Sequence, residues 1–125
     1  MSEANARKPS IVLVDDQPEF LTFMRARLTR SSALDVVGQA TSGESALRLI
    51  QGLQPAPDVV LVDVEMPGLD GFETTRRVRD VAPGARIILT SASDSPHYGR
   101  AAISIGARFV PKRSLSVETI LQLLD

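Results

Sequence analysis

The chain has 125 residues, 43% hydrophobic and 23% charged, with a net charge of −1 from 14 basic and 15 acidic residues, the size and balance of one globular domain with a real core. It has no Cys and a single His, His97, which excludes disulfides, thiolate metal centres, a cysteine nucleophile and a histidine zinc site. The near-neutral charge gives no electrostatic reason for this domain to bind nucleic acid directly, and no stretch approaches a membrane span or a secretory leader, so a cytoplasmic location is expected.

Residues 1–9 are polar and read as a flexible arm, with one domain over residues 10–125. Ile11-Val12-Leu13-Val14 is short, β-branched and uninterrupted, as in a strand buried on both faces of a parallel sheet, and it ends in Asp15-Asp16. Pro18 fits the first turn of a helix whose apolar stripe is Phe20, Leu21, Met24 and Leu28. Residues 34–40 form a second strand, interrupted by Asp35 and Gly38 and therefore expected at an edge. A second helix opens at Gly43 with Ala46, Leu47, Ile50 and Leu53 on one face, and Pro55-Ala56-Pro57 ends it. The third strand, 58–62, carries Val59-Val60-Leu61-Val62 and delivers Asp63. Met66-Pro67-Gly68-Leu69-Asp70-Gly71 follows as a loop rich in turn residues. The pattern predicts a third helix over 72–81, closed by Pro83-Gly84, then a fourth strand over 86–90. Residues 91–95 are a small-residue loop, and a fourth helix follows Pro96. Residues 108–110 are a short fifth strand, and Val117, Ile120, Leu121 and Leu124 mark a last helix. This strict strand–helix alternation implies an α/β fold, a parallel sheet with helices on both faces joined by right-handed crossovers.

Two such strands side by side bring Asp15, Asp16 and Asp63 together at their carboxyl ends, the edge where open α/β sheets bind ligands. The cluster repels itself unless a cation joins it, and hard oxygen ligands suit Mg²⁺. Helix capping would explain one Asp after a strand, but it explains three converging on one edge poorly. Thr90, ending the fourth strand, and Lys112, following the fifth, would be an ordinary strand-end residue and a solvated lysine but for their positions relative to the carboxylates.

The Asp15-Asp16 pair, Asp63 with Met66-Pro67-Gly68 and Asp70-Gly71 behind it, Thr90 and Lys112 occur in order, each after a strand. In this the chain resembles the receiver domains of two-component response regulators from Ile11 to Leu124. The resemblance implies a flavodoxin-like (βα)5 three-layer sandwich with strand order 2-1-3-4-5. It also implies that Asp63 accepts a phosphoryl group from a sensor histidine kinase or phosphotransfer protein. Asp16 and Asp63 would ligate Mg²⁺ directly, Asp15 through water, and the backbone carbonyl of Glu65 would be a further ligand. Lys112 would pair with Asp63 at rest and with the phosphoryl group afterwards. Thr90 and Phe109 would form the switch, the ring turning inward as Thr90 moves toward the phosphoryl group; the competing reading of Phe109 is a plain core residue.

The Phe109-Val110-Pro111-Lys112 form resembles receivers that stand in front of helix-turn-helix output domains, so the N-terminal receiver of a DNA-binding transcriptional regulator is expected. The last helix is short and the sequence stops while still apolar, as in a piece of a longer regulator or a compact one-domain one. Homodimerisation on phosphorylation is expected through the first and fifth helices, because the fourth carries Tyr98, Arg100 and Ile103 without a dense row of alternating charges. Three positions depart from the family pattern. Arg113 follows Lys112 where many members have proline, so a cis bond there is not expected. Gly106-Ala107-Arg108-Phe109 is one residue shorter than usual before the aromatic. Glu65 is long and charged, and is expected to reach over the phosphoryl group and lengthen its lifetime; the competing readings are a side chain in solvent and a carboxylate that orients the attacking water and shortens the lifetime.

The chain is not expected to turn over a substrate beyond its own phosphorylation and dephosphorylation. The alternative is an aspartyl-phosphate phosphotransferase or phosphatase of the haloacid-dehalogenase-like kind. Those want Asp-x-Asp at one strand end, which Asp63-Val64-Glu65 imitates poorly. A flavodoxin-like binding protein is a third reading, weakened by the absence of a Ser/Thr/Gly phosphate loop after the first strand.

Overall fold

A computed structural model of the chain describes residues 7–124. The strands are β1 (Ser10–Val14), β2 (Asp35–Ala40), β3 (Val59–Asp63), β4 (Arg86–Thr90) and β5 (Arg108–Phe109); the helices are α1 (Pro18–Ser31), α2 (Gly43–Gln51), α3 (Gly71–Val81), α4 (Pro96–Ser104) and α5 (Val117–Gln122), with a 3-10 turn at Lys112–Ser114. All strand pairs are parallel, in the flavodoxin-like order β2-β1-β3-β4-β5. Side-chain alternation divides the core into two layers. Val12, Val14, Val60, Val62, Ile87 and Leu89 face α2, α3 and α4, where Ala46, Ile50, Val78 and Ala102 meet them. Ile11, Leu13, Val59, Leu61 and Ile88 face α1 and α5, where Leu21, Met24, Leu28 and Ile120 meet them. Three residues of α1 are buried, but in α4 Ala102 alone is. No described helix is long and apolar enough to cross a membrane.

The element bounds differ from the sequence pattern where polar groups intervene. β3 starts at Val59 rather than 58 because Asp58 ties the sheet's lower edge. Its N–H donates to the Ser10 carbonyl at 3.1 Å and its Oδ2 accepts the Ser10 N–H at 2.8 Å. Of the nine-residue arm, residues 1–6 lie outside the described residues; Arg7 meets Asp58 at 3.4 Å and the Pro9 carbonyl accepts the Asp35 N–H at 2.9 Å. β2 is the expected edge strand, and its register slips: Ile11 faces Val36 but Val12 faces Gly38, leaving Val37 out of register. Gly38 is pressed on Leu49, whose Cδ2 would stand 2.7 Å from an added Cβ.

α3 begins at Gly71, one residue earlier than the pattern, because Asp70 caps it, its Oδ1 accepting the Glu73 N–H at 2.9 Å. The Val110 N–H still donates to the Leu89 carbonyl at 2.9 Å, although β5 ends at Phe109. The cis peptide of the described chain is Gln54–Pro55, so Lys112–Arg113 is trans as expected.

One glycine sets the geometry above the central strand. A Cβ on Gly71 would stand 2.4 Å from the Asp63 carbonyl oxygen and 2.7 Å from Val64 Cα, both backbone atoms that cannot yield locally. Gly71→Ala should therefore lower unfolding free energy by about 1–3 kcal/mol. Gly84→Ala, with nothing within 4 Å of its Cβ position, should change it by less than about 0.5 kcal/mol. Urea titrations of the two variants check this, and equal stabilities would contradict the close approach.

Candidate functional site

The register explains why the acidic residues meet. Val14 lies beside Val62 and Asp63 beside Thr90, so one further step sets Asp15 next to Asp63 at the carboxyl edge. Asp15, Asp16 and Asp63 each offer a carboxylate oxygen, and these oxygens all lie within 4.8 Å of one another. Asp15 and Asp63 are buried, and Asp16 is half-buried. Asp15 Oδ1 accepts the Gln17 N–H at 2.8 Å. Its Oδ2 has no directional hydrogen bond among the described residues, but it is met by Lys112 Nζ at 2.8 Å, and that close opposite charge is its counterpart.

Lys112 stands between the two buried carboxylates, unequally. It lies 3.9 Å from Asp63 Oδ2, the ion pair expected from the sequence, and closer still, at 2.8 Å, to Asp15 Oδ2, a partner the sequence does not show. The reason is placement: the Lys112 N–H donates to the Ser91 carbonyl at 2.9 Å, and the Phe20 ring lies 4.1 Å from Nζ, a cation–π contact from α1. Thr90 is fully buried, and its hydroxyl has no hydrogen-bond partner among the described residues. An orphaned buried hydroxyl is costly unless it has a use. Phe109 is half-buried, its ring edge-on to Tyr98 at 5.3 Å.

Burial raises the carboxyl group of Asp63 to about 6, with the charge of Asp15 adding to the effect and that of Asp16 contributing less; Lys112 and the Glu65 N–H pull the other way. A carboxylate strained by its neighbours, in an all-oxygen pocket, fits a hard divalent cation.

The Glu65 side chain is tied on both oxygens by partners the sequence does not show: Oε1 accepts the Ser91 hydroxyl at 2.9 Å and Oε2 accepts the Tyr98 hydroxyl at 2.7 Å. Only its N–H turns to Asp63, at 3.4 Å from Oδ1. The second acid that a haloacid-dehalogenase-like reaction would place beside the acceptor is thus engaged elsewhere. Sequence reasoning did not single out Ser91 or Tyr98 for the site. A serine in a small-residue loop and a tyrosine in the next helix carry no periodic signal; only the fold shows that both reach Glu65. The hydrogen bond to Glu65 and burial raise the Tyr98 phenol above its ordinary value, so it stays a donor.

Comparison with known proteins agrees with this geometry. The family model described as the response regulator receiver domain matches residues 11–125. The chain is 36% identical over 126 residues to a Mycobacterium tuberculosis protein named as the transcriptional regulatory protein NarL, covering 100% of this chain and 57% of that protein. It is 30% identical over 121 residues to the nitrate/nitrite response regulator protein NarL of Escherichia coli K12, covering 97% of this chain and 55% of that protein. The chain therefore spans just over half the length of these curated relatives. The solved signal receiver domain of NarL from Mycobacterium tuberculosis superposes with a TM-score of 0.84 at 35% identity, covering 94% of this chain and 97% of that one.

The shifted Asp63 has a consequence for stability. Its folded value, about 6, lies above the ordinary 3.8, so folding favours the protonated form. The cost of ionising it is absent below about pH 4 and complete above about pH 6. With divalent cations chelated, Asp63→Asn should be more stable than wild type by about 1–3 kcal/mol at pH 7.5 and equal to it near pH 4. Urea titrations at the two pH values, in chelator, measure this; a variant no more stable at pH 7.5 would contradict the strain.

Proposed function

The chain belongs to the response regulator receiver domain family, and from that premise we propose that Asp63 is its phosphoacceptor and that phosphorylation there is the switch. The observation that carries this reading is the cluster itself: a buried aspartate ending the central strand, within 4.8 Å of two further carboxylates, beside Lys112 and the unpartnered Thr90 hydroxyl. In the reaction an Asp63 carboxylate oxygen attacks the phosphorus of a phosphohistidine on a sensor histidine kinase or phosphotransfer protein. The new O–P bond forms as the N–P bond breaks, and the electron pair stays on the imidazole nitrogen. Lys112, already 3.9 Å from Asp63, shifts its charge from Asp15 toward the transferred group. Thr90 donates its hydroxyl to a phosphoryl oxygen, and Phe109 follows the space it vacates. Mg²⁺, held by Asp16, Asp63, the Glu65 carbonyl and Asp15 through water, would supply positive charge against the like-charged approach.

Water returns the acyl phosphate to the free carboxylate, so each molecule carries one phosphoryl group and has no separate substrate. In a longer regulator the switch would govern a DNA-binding output, in keeping with the transcriptional regulation for which its relatives are named. Homodimerisation through the α1–α5 face, where Phe23 is exposed, belongs to the same reading. Sedimentation should show a dimer for the phosphorylated protein alone, and Phe23→Glu should abolish it; a monomer in both states would rule that part out.

Incubation with phosphoramidate and Mg²⁺ followed by intact mass measurement tests the acceptor. Wild type should gain one phosphoryl group and Asp63→Asn none. Lys112→Ala should still be labelled, roughly tenfold more slowly, because it removes one of several positive contributions. Excess chelator should stop labelling, and Asp16→Ala should lose the rise in melting temperature that Mg²⁺ gives. Labelling of Asp63→Asn at the wild-type rate would sink the assignment.

A further inference from the structure

The Glu65 side chain has no part in the phosphoacceptor reading, yet both its oxygens are held, from two different elements. Ser91, immediately after Thr90, is buried and makes three contacts. Its hydroxyl donates to Glu65 Oε1 at 2.9 Å and accepts the Ser93 N–H at 3.0 Å, and its carbonyl accepts the Lys112 N–H at 2.9 Å. Tyr98, in the first turns of α4, donates to Glu65 Oε2 at 2.7 Å. The Tyr98 ring lies between Phe72 of α3, centroids 5.9 Å apart, and Phe109 of β5, at 5.3 Å. One carboxylate thus fixes both the residue next to Thr90 and the aromatic neighbour of Phe109.

Thr90 and Phe109 are the two residues whose movement the switch requires. For the Thr90 hydroxyl to reach a group on Asp63, the segment after it must shift, and Ser91 cannot follow without giving up its bond to Glu65. When Phe109 turns inward, Tyr98 loses the nearer of the two rings it rests between. Hydrogen bonds to a charged acceptor are stronger than neutral ones, so this arrangement resists both movements. We propose that Glu65 is a positioning residue, a latch that holds Ser91 and Tyr98 and must release them before Thr90 engages the phosphoryl group. The proposal rests on Asp63 being the phosphoacceptor and deepens that reading: Glu65 sets how far phosphorylation moves the equilibrium, through the two residues it holds and not by screening the phosphoryl group.

Beryllofluoride, a phosphoryl mimic, added with Mg²⁺ to the whole chain, reads the latch as an affinity. An anion that binds the released arrangement must work against the latch, so removing the latch tightens binding. Glu65→Ala should tighten beryllofluoride roughly tenfold and Tyr98→Phe roughly threefold, as expected for losing two hydrogen bonds or one. Tyr98→Phe should add nothing in the Glu65→Ala background, because the bond is already gone. Amide NMR shifts of residues 91–103 in both variants, without the mimic, should move toward the positions they take in the beryllofluoride-bound wild type. Tyr98→Phe changes no charge, so it separates the latch from simple repulsion between Glu65 and the anion. Tightening by Glu65→Ala with Tyr98→Phe silent would mean repulsion alone and overturn the latch, as would wild-type affinity in both variants or weaker binding in either. If Glu65→Ala does not fold, Ser91→Ala takes its place beside Tyr98→Phe, with the roughly threefold tightening expected for losing one hydrogen bond to Glu65 and the same overturning results. Wild type that binds no beryllofluoride would instead overturn the acceptor reading itself.

Discussion

Like charges held closer than they would choose are the constraint on which this molecule turns. At about 5 Å and an effective dielectric near 20, two carboxylates repel by about 3 kcal/mol. Free chains would separate them. Here the parallel pairing of β1 with β3 leaves Asp15 and Asp63 no alternative, since moving either strand by one residue would turn its buried side chains to the opposite layer. Val12, Leu13, Val60 and Leu61 are essentially inaccessible to solvent, and each such side chain contributes about 1.5–3 kcal/mol when buried. The hydrophobic layers therefore outweigh the electrostatic cost at the sheet edge. What is left over is a local strain, visible in the proton affinity of Asp63 and in the position of Lys112 between two acids.

The loop after β4 is where that strain meets the rest of the protein. It is fastened on one flank to the loop after Asp63, through Ser91 and Glu65, and on the other to the turn after β5. There the Ser91 carbonyl accepts the Lys112 N–H and Arg113 pairs with Asp94. Arg113 brings to this turn the positive charge that meets Asp94. Both members of that pair are largely exposed, at 65% and 47% for the side chains, so the pair orients the loop more than it stabilises the fold.

Much of this was legible in the chain because it rests on short-range pattern. Uninterrupted apolar runs at Ile11–Val14 and Val59–Val62 show two faces buried at once, and alternation with helices then leaves few topologies. The acidic pocket followed, since residues that end adjacent parallel strands must meet. What the pattern could not carry was side-chain direction. Lys112 pairs with Asp63 as expected, but Phe20 and the Ser91 carbonyl set it closer still to Asp15, which the pattern does not show. Nor does the pattern show that a hydroxyl one loop away and a phenol one helix away hold the two oxygens of Glu65. Element ends slipped for related reasons: Asp58 is held by Ser10 instead of extending β3, and Asp70 starts α3 one residue early. Apart from Asp70, which caps Glu73 three residues on, none of these partners is within a helical turn of the residue it captures, so local periodicity is blind to them.

The two layers of the core are not equally filled. The α1 side is packed with Leu21, Met24 and Leu28, whereas α4 commits only the methyl group of Ala102 fully to the interior. Detaching α4 from the sheet exposes far less apolar surface than detaching α1 would. Opening of this kind is set by local burial and not by the stability of the whole domain. The helix next to the acceptor loop is thus the cheapest to displace, and a modest chemical event on Asp63 can move it while the opposite layer keeps the domain folded.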